Sequence, residues 1–143
     1  MLIGQYTSKV DAKRRVAVPS KFRDELGNTF ILTRWYESCL SFVAKSEWLT
    51  LFNKLIGETK GITAPVRDTN RFLLGQAYEL TPDGQGRVVI PEGLAKFAQI
   101  NAKVIFLGLG DRVEVWGSEL WDKREAFITE NADKFVEDLT TRK

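Results

Sequence analysis

Hydrophobic and polar positions follow two periods along this chain, and each change of period marks a new element. Tyr6, Thr7 and Val10 are β-formers in a short predicted strand over 5–10, and Val16 and Val18 share one face of a second strand over 15–18. The four residues 11–14 join them. Pro19 ends the second strand because it has no N–H to donate to a ladder; Ser20 is then an N-cap for a short helix that Gly27 closes. Phe22 and Leu26, four apart, form its buried pair. The apolar runs 30–33 and 40–43 read as neighbouring buried strands on either side of a turn at Glu37-Ser38. Next comes a helix with Ser46 as N-cap and Glu47 in the first turn, on which Trp48, Leu51, Phe52 and Leu55 recur at helical spacing. Gly57 and Gly61 loosen the chain after it. A further helix over 65–76 carries Val66, Leu73 and Leu74 on one side and Arg67 and Arg71 on the other, and bridges to the rest of the chain.

From residue 78 the same order begins again. A strand at 78–80, a loop around Asp83, a strand at 87–90 and a helix after Pro91 with Leu94 and Phe97 precede strands at 104–107 and 113–116, with 108–111 as the turn between them. The last helix follows Ser118. Its Trp121, Ile128, Ala132, Phe135 and Leu139 lie in one narrow sector, opposite Lys123, Glu130, Asp133, Lys134 and Glu137, the pattern of a helix packed on a core or on another subunit. Residue by residue, Asp11, Arg15, Val16, Val18, Pro19 and Phe22 recur 72 positions later as Asp83, Arg87, Val88, Ile90, Pro91 and Leu94. The chain is therefore read as a duplication, with units at 1–75 and 76–143.

Charge separates the two copies. Residues 9–23 carry Lys9, Lys13, Arg14, Arg15, Lys21 and Arg23 against Asp11 alone, whereas residues 79–94 carry Arg87 against Glu79, Asp83 and Glu92. The net charge is only +2 over 143 residues, so an anionic partner is implied by the placement of the charge and not by its total. Since the second copy is built without counterparts of Lys13 and Arg14, scaffold requirements do not account for them; neutralising phosphates does, and an arginine fork also matches guanine O6 and N7. The DxxxR spacing of Asp11 with Arg15 and Asp83 with Arg87 sets an acid and a base across a tight connection where they pair and fix the loop. Asp11, Asp83 and Arg87 are read first as structural.

The remaining composition narrows the chemistry. A chain with no histidine and only Cys39 forms no intrachain disulfide, assembles no familiar zinc site and lacks the commonest general base. No catalytic residue, metal or cofactor is assigned, and the chain is not read as an enzyme. Gly84-Gln85-Gly86 lacks the lysine and hydroxyl residue of a P-loop and reads as a turn, and Asp111, Glu114 and Glu119 follow no metal-ligand spacing. No apolar run has signal-peptide or membrane-span length, so the protein is expected to be soluble and cytoplasmic.

With both DxxxR copies placed, the sequence resembles the MraZ family of bacterial regulators associated with the division and cell-wall gene cluster. The resemblance is carried by Asp11-Ala12-Lys13-Arg14-Arg15 before Val18-Pro19, by Asp83-Gly84-Gln85-Gly86-Arg87 before Ile90-Pro91, and by Arg112-Val113-Glu114-Val115-Trp116. It implies an α+β fold made of two swapped-hairpin units of the AbrB type, joined into a β-barrel with appended helices, and chains assembled as a homo-oligomeric ring. It also implies sequence-specific binding of double-stranded DNA at short direct repeats in a promoter, association with the nucleoid, and no small-molecule substrate. Arg15 is the leading DNA contact on this basis, with Lys13 and Arg14 beside it. Trp35-Tyr36 departs from the family pattern at a turn where relatives often carry a small residue. The alternative from a different class is a protein–protein assembly or antitoxin-like module in which the same cations bind an acidic surface.

Overall fold

The computed structural model describes residues 1–57 and 63–141, so the expected loosening at Gly61 lies outside the described residues. In chain order the elements are β1 (Leu2–Lys9), β2 (Arg15–Ala17), α1 (Ser20–Leu26), β3 (Phe30–Arg34), β4 (Leu40–Ala44), α2 (Trp48–Ile56) and α3 (Ala64–Leu73), then β5 (Tyr78–Leu80), β6 (Arg87–Val89), α4 (Glu92–Phe97), β7 (Lys103–Gly110), β8 (Val113–Gly117) and α5 (Ser118–Thr141). The fold is α+β. Its main sheet is antiparallel with strand order β1-β7-β8-β4-β3-β5, and β2 pairs with β6 in a separate two-stranded ribbon.

The unbroken apolar runs of the central strands follow from burial on both faces of this sheet. Successive residues point to opposite sides, so Phe30, Leu32, Phe42, Phe106 and Val115 enter one core with Val16, Val88, Phe22 and Leu94. Ile31, Val43, Ile105 and Trp116 enter a second core with Trp48, Leu51, Phe52 and Trp121. The first core lies under the ribbon. Val16 and Val88, cross-strand partners in the ribbon, are both almost fully buried, which anchors the ribbon and turns its alternate positions outward. Phe22 is completely buried and meets Tyr6 edge-to-face, with ring centroids 5.1 Å apart.

Strand pairing joins early and late parts of the chain. Leu2 to Lys9 pair residue for residue with Gly110 to Lys103, and β5 pairs with β3, so neither portion of the chain forms a sheet of its own.

Several local expectations are corrected. Ser20 and Ser46 are not N-caps: Pro19 precedes α1, a 3₁₀ turn over Lys45–Glu47 precedes α2, and neither helix start has a side-chain capping bond. The turn expected at 108–111 is largely strand, because β7 continues through Gly110. Gly108 allows that continuation: a Cβ there would lie 2.5 Å from the Ile3 nitrogen, so only glycine lets β1 approach. α3 stops at Leu73, which leaves Leu74 exposed, and Leu55 faces solvent at the end of α2. The departure at Trp35-Tyr36 is absorbed into the second core, where Trp35 is buried under the Arg112 guanidinium at 5.1 Å. The largest correction concerns α5. Only Trp121 of its apolar sector is buried, while Ile128, Val136 and Leu139 are exposed; the helix docks by its first turn, and no element among the described residues covers those three.

Candidate nucleic-acid interface

Each DxxxR motif closes a turn through its carboxylate. Oδ1 of Asp11 accepts the backbone N–H groups of Lys13 (2.9 Å) and Arg15 (2.8 Å), and Oδ2 accepts Nε–H of Arg15 at 2.7 Å. Asp83 does the same for Gln85 (2.9 Å) and Arg87 (3.0 Å), with Arg87 Nε at 3.0 Å. The Arg15 N–H is the largest influence holding the Asp11 carboxyl below its ordinary pKa; desolvation, next in size, opposes it, and the Arg15 side chain and Lys13 N–H add to the lowering. The Arg87 N–H leads the corresponding effect on Asp83. Both acids are thus ionised loop-fixers that hold an arginine at the mouth of a strand.

The two arginines share one face. In the ribbon Arg15 lies opposite Val89, Val16 opposite Val88, and Ala17 opposite Arg87. With Val16 and Val88 buried, Arg15, Ala17, Arg87 and Val89 form the outward surface, Arg15 and Arg87 on its diagonal. Only Nε of each arginine is engaged; their terminal nitrogens have no hydrogen-bond partner among the described residues. Lys13, in the turn that leads into β2, is exposed, as are Lys9 and Lys21, and none of the three makes an ion pair among the described residues. The arrangement presents cationic donors to a ligand and offers no nucleophile paired with a base.

Arg14 behaves differently from its neighbours. It adopts a left-handed backbone (φ 60°), its Nε donates to the Ile90 carbonyl at 2.9 Å, and its own carbonyl accepts the Ile90 N–H at 2.9 Å. On the other strand, Gly86 (φ 74°) accepts the Val18 N–H at 3.0 Å, while the Val18 carbonyl takes Nε–H of Arg23 at 3.0 Å. A guanidinium is therefore used at both ends of the ribbon, which corrects the premise that the scaffold has no use for Arg14. Sequence comparison missed Arg23 because Ala95, not an arginine, stands 72 positions after it. The usable signal was Gly86, the one residue small enough to admit that side chain.

The ribbon sets cationic side chains outward on an α+β frame, and relatives of the chain are named as transcriptional regulators, which is not an enzyme class. The family model described as "MraZ protein, putative antitoxin-like" matches residues 1–71 and again 73–143. The chain is 37% identical to the transcriptional regulator MraZ of Oenococcus oeni over 140 residues, covering 98% of this chain and 97% of that protein. It is 40% identical to that of Thermoanaerobacter sp. strain X514, covering 97% and 94%, and 37% identical to that of Limosilactobacillus reuteri strain DSM 20016, covering 97% of each. The chain belongs to the MraZ family. No helix among the described residues is long and apolar enough to cross a membrane.

Proposed function

We propose that the outward face of the β2/β6 ribbon, with Lys13 and the terminal nitrogens of Arg15, binds double-stranded DNA sequence-specifically at short direct repeats in the promoter of a division and cell-wall gene cluster. The observation that carries this reading is the pair of carboxylate-fixed arginines on one exposed ribbon face, with the exposed Lys13 in the adjoining turn making no ion pair among the described residues. A two-stranded ribbon fits the major groove, where a guanidinium can bridge guanine O6 and N7 while flanking lysines take phosphates. In this reading Arg14 mainly braces the ribbon, and the protein works at the nucleoid.

The strand order supports reading the two units, 1–75 and 76–143, as swapped hairpins: β1 of the first pairs with β7 of the second, and β5 of the second with β3 of the first. A ring of chains, implied by the family resemblance, suits the charge arithmetic. One loop neutralising about three phosphates binds weakly at physiological salt, whereas loops held together on tandem repeats act at high effective concentration. The uncovered apolar sector of α5, with Ile128, Val136 and Leu139 exposed, is the surface offered to a second copy.

The test is retention of promoter DNA by wild type and by Arg15→Ala. Arg15→Ala should stay folded and lose retention, and wild-type affinity should fall steeply with salt. Unchanged affinity in a folded Arg15→Ala protein overturns the assignment. The antitoxin-like alternative, in which Lys13, Arg14 and Arg15 bind an acidic protein surface, predicts a partner protein still retained after nuclease treatment of a lysate.

A further inference from the structure

We propose that Val89 is a specificity-determining residue that packs against the C5 methyl group of a thymine, so that the reading surface is completed by the second half of the chain. This inference rests on the DNA reading above. Val89 is 47% exposed although its neighbour Val88 is buried, and its side chain stands directly across the ribbon from Arg15. Opposed residues on a ribbon have Cβ atoms about 4.5–5.5 Å apart, so whatever Arg15 reaches lies within reach of Val89. Arg87, two residues away along the same strand, bounds it on the other side.

The core does not require this valine. Ala17 occupies the corresponding outward position 72 residues earlier, opposite Arg87, and is exposed in the same way. A phosphate-binding surface gains nothing from an aliphatic group between two guanidinium groups. The major-groove wall, by contrast, displays one apolar group, the thymine methyl, among the acceptors and donors that the arginines would read. Arg15 and Val89 together would then recognise a guanine next to a thymine, a combination neither half of the chain supplies alone.

The experiment selects a duplex from a random library with the full-length wild-type protein, confirms that retention depends on Arg15, and replaces each thymine singly by deoxyuridine. Wild type should lose about fourfold in affinity at one position, the worth of burying a single methyl group. Val89→Ala, which copies the residue tolerated at position 17, should lose a similar amount on the thymine duplex and show no further loss on the uracil duplex. Thermal unfolding of Val89→Ala establishes that it is folded, and Val89→Ile, which keeps an aliphatic β-branched side chain, should retain the methyl dependence. A uracil penalty that is absent in wild type, or equally large in Val89→Ala, overturns the assignment while leaving the DNA reading intact. A wild-type protein that enriches no duplex overturns both.

Discussion

Arg14 and Arg23 perform the same task at opposite ends of one ribbon, although they are not at equivalent positions in the two copies. Nε of Arg14 donates to the Ile90 carbonyl at 2.9 Å, and Nε of Arg23 donates to the Val18 carbonyl at 3.0 Å. One guanidinium comes from the turn itself; the other comes from a helix and fills the space that Gly86 leaves open. A Cβ at Gly86 would sit 2.5 Å from Cζ of Arg23.

Gly86→Ala should therefore destabilise the protein by about 1–2 kcal/mol, combining a left-handed backbone with displacement of Arg23. Gly86→Arg combined with Arg23→Ala should recover most of that loss, because it copies the residues at the equivalent positions of the other copy, Arg14 and Ala95. Urea unfolding of the three proteins checks this; a double variant less stable than Gly86→Ala would refute the interchange.

Asp11→Ala should weaken DNA retention by about tenfold, even though it removes a negative charge beside the proposed contact, because the Arg15 side chain and two backbone N–H groups lose their acceptor. A rise in affinity would mean that charge outweighs loop geometry. The same carboxylate has a depressed folded-state pKa, so its contribution to stability is present above the unfolded value of about 3.9 and fades as pH falls through the lower folded value. Asp83 adds to this in the same direction. Stability of wild type should decline more steeply below about pH 4 than that of a protein carrying Asp11→Asn and Asp83→Asn.

Glu114 is the buried acid of the second core. It accepts Nε and Nη2 of Arg112 at 3.1 and 3.0 Å and the indole N–H of Trp116 at 3.0 Å. Glu114→Ala should cost about 2–4 kcal/mol by leaving the Trp116 indole N–H and the Nε and Nη2 groups of Arg112 without their acceptor, Nη1 keeping Asp111. Glu114→Gln, which keeps an acceptor, should cost less, as measured by thermal or urea unfolding.

Cys39 should not react with thiol reagents in the folded protein. It is fully buried, and burial, reinforced by Glu114 and Glu37, pushes its thiol pKa far up, so the reactive thiolate is scarce. Labelling should follow the unfolding curve in urea; rapid labelling without urea would contradict this packing.

Elements whose period is set by the core were legible in the sequence. The one-face pattern of Val16 and Val18, the double-sided runs at 30–33 and 40–43, and the helical spacing of Trp48, Leu51 and Phe52 all correspond to burial in the structure. Interactions between distant positions were not. Nothing local predicts that Arg14 bonds to Ile90, 76 residues away, or that Gly108 is there to let another strand come close. The α5 stripe was read correctly as apolar, and of the two surroundings it allowed the chain's own core covers only Trp121, since periodicity reports which side of a helix avoids water and not what covers it. In the candidate site, DxxxR spacing located both carboxylate–arginine pairs; the register that sets Val89 beside Arg15 required the ribbon.

Because β1 finds its partner only in residues 103–110, its ladder stays open while most of the polypeptide is still being synthesised. Completion of the sheet must wait until residues 103–117 have been made, since β7 and β8 join β1 to β4, and a product released before then would display unpartnered strand edges to its neighbours.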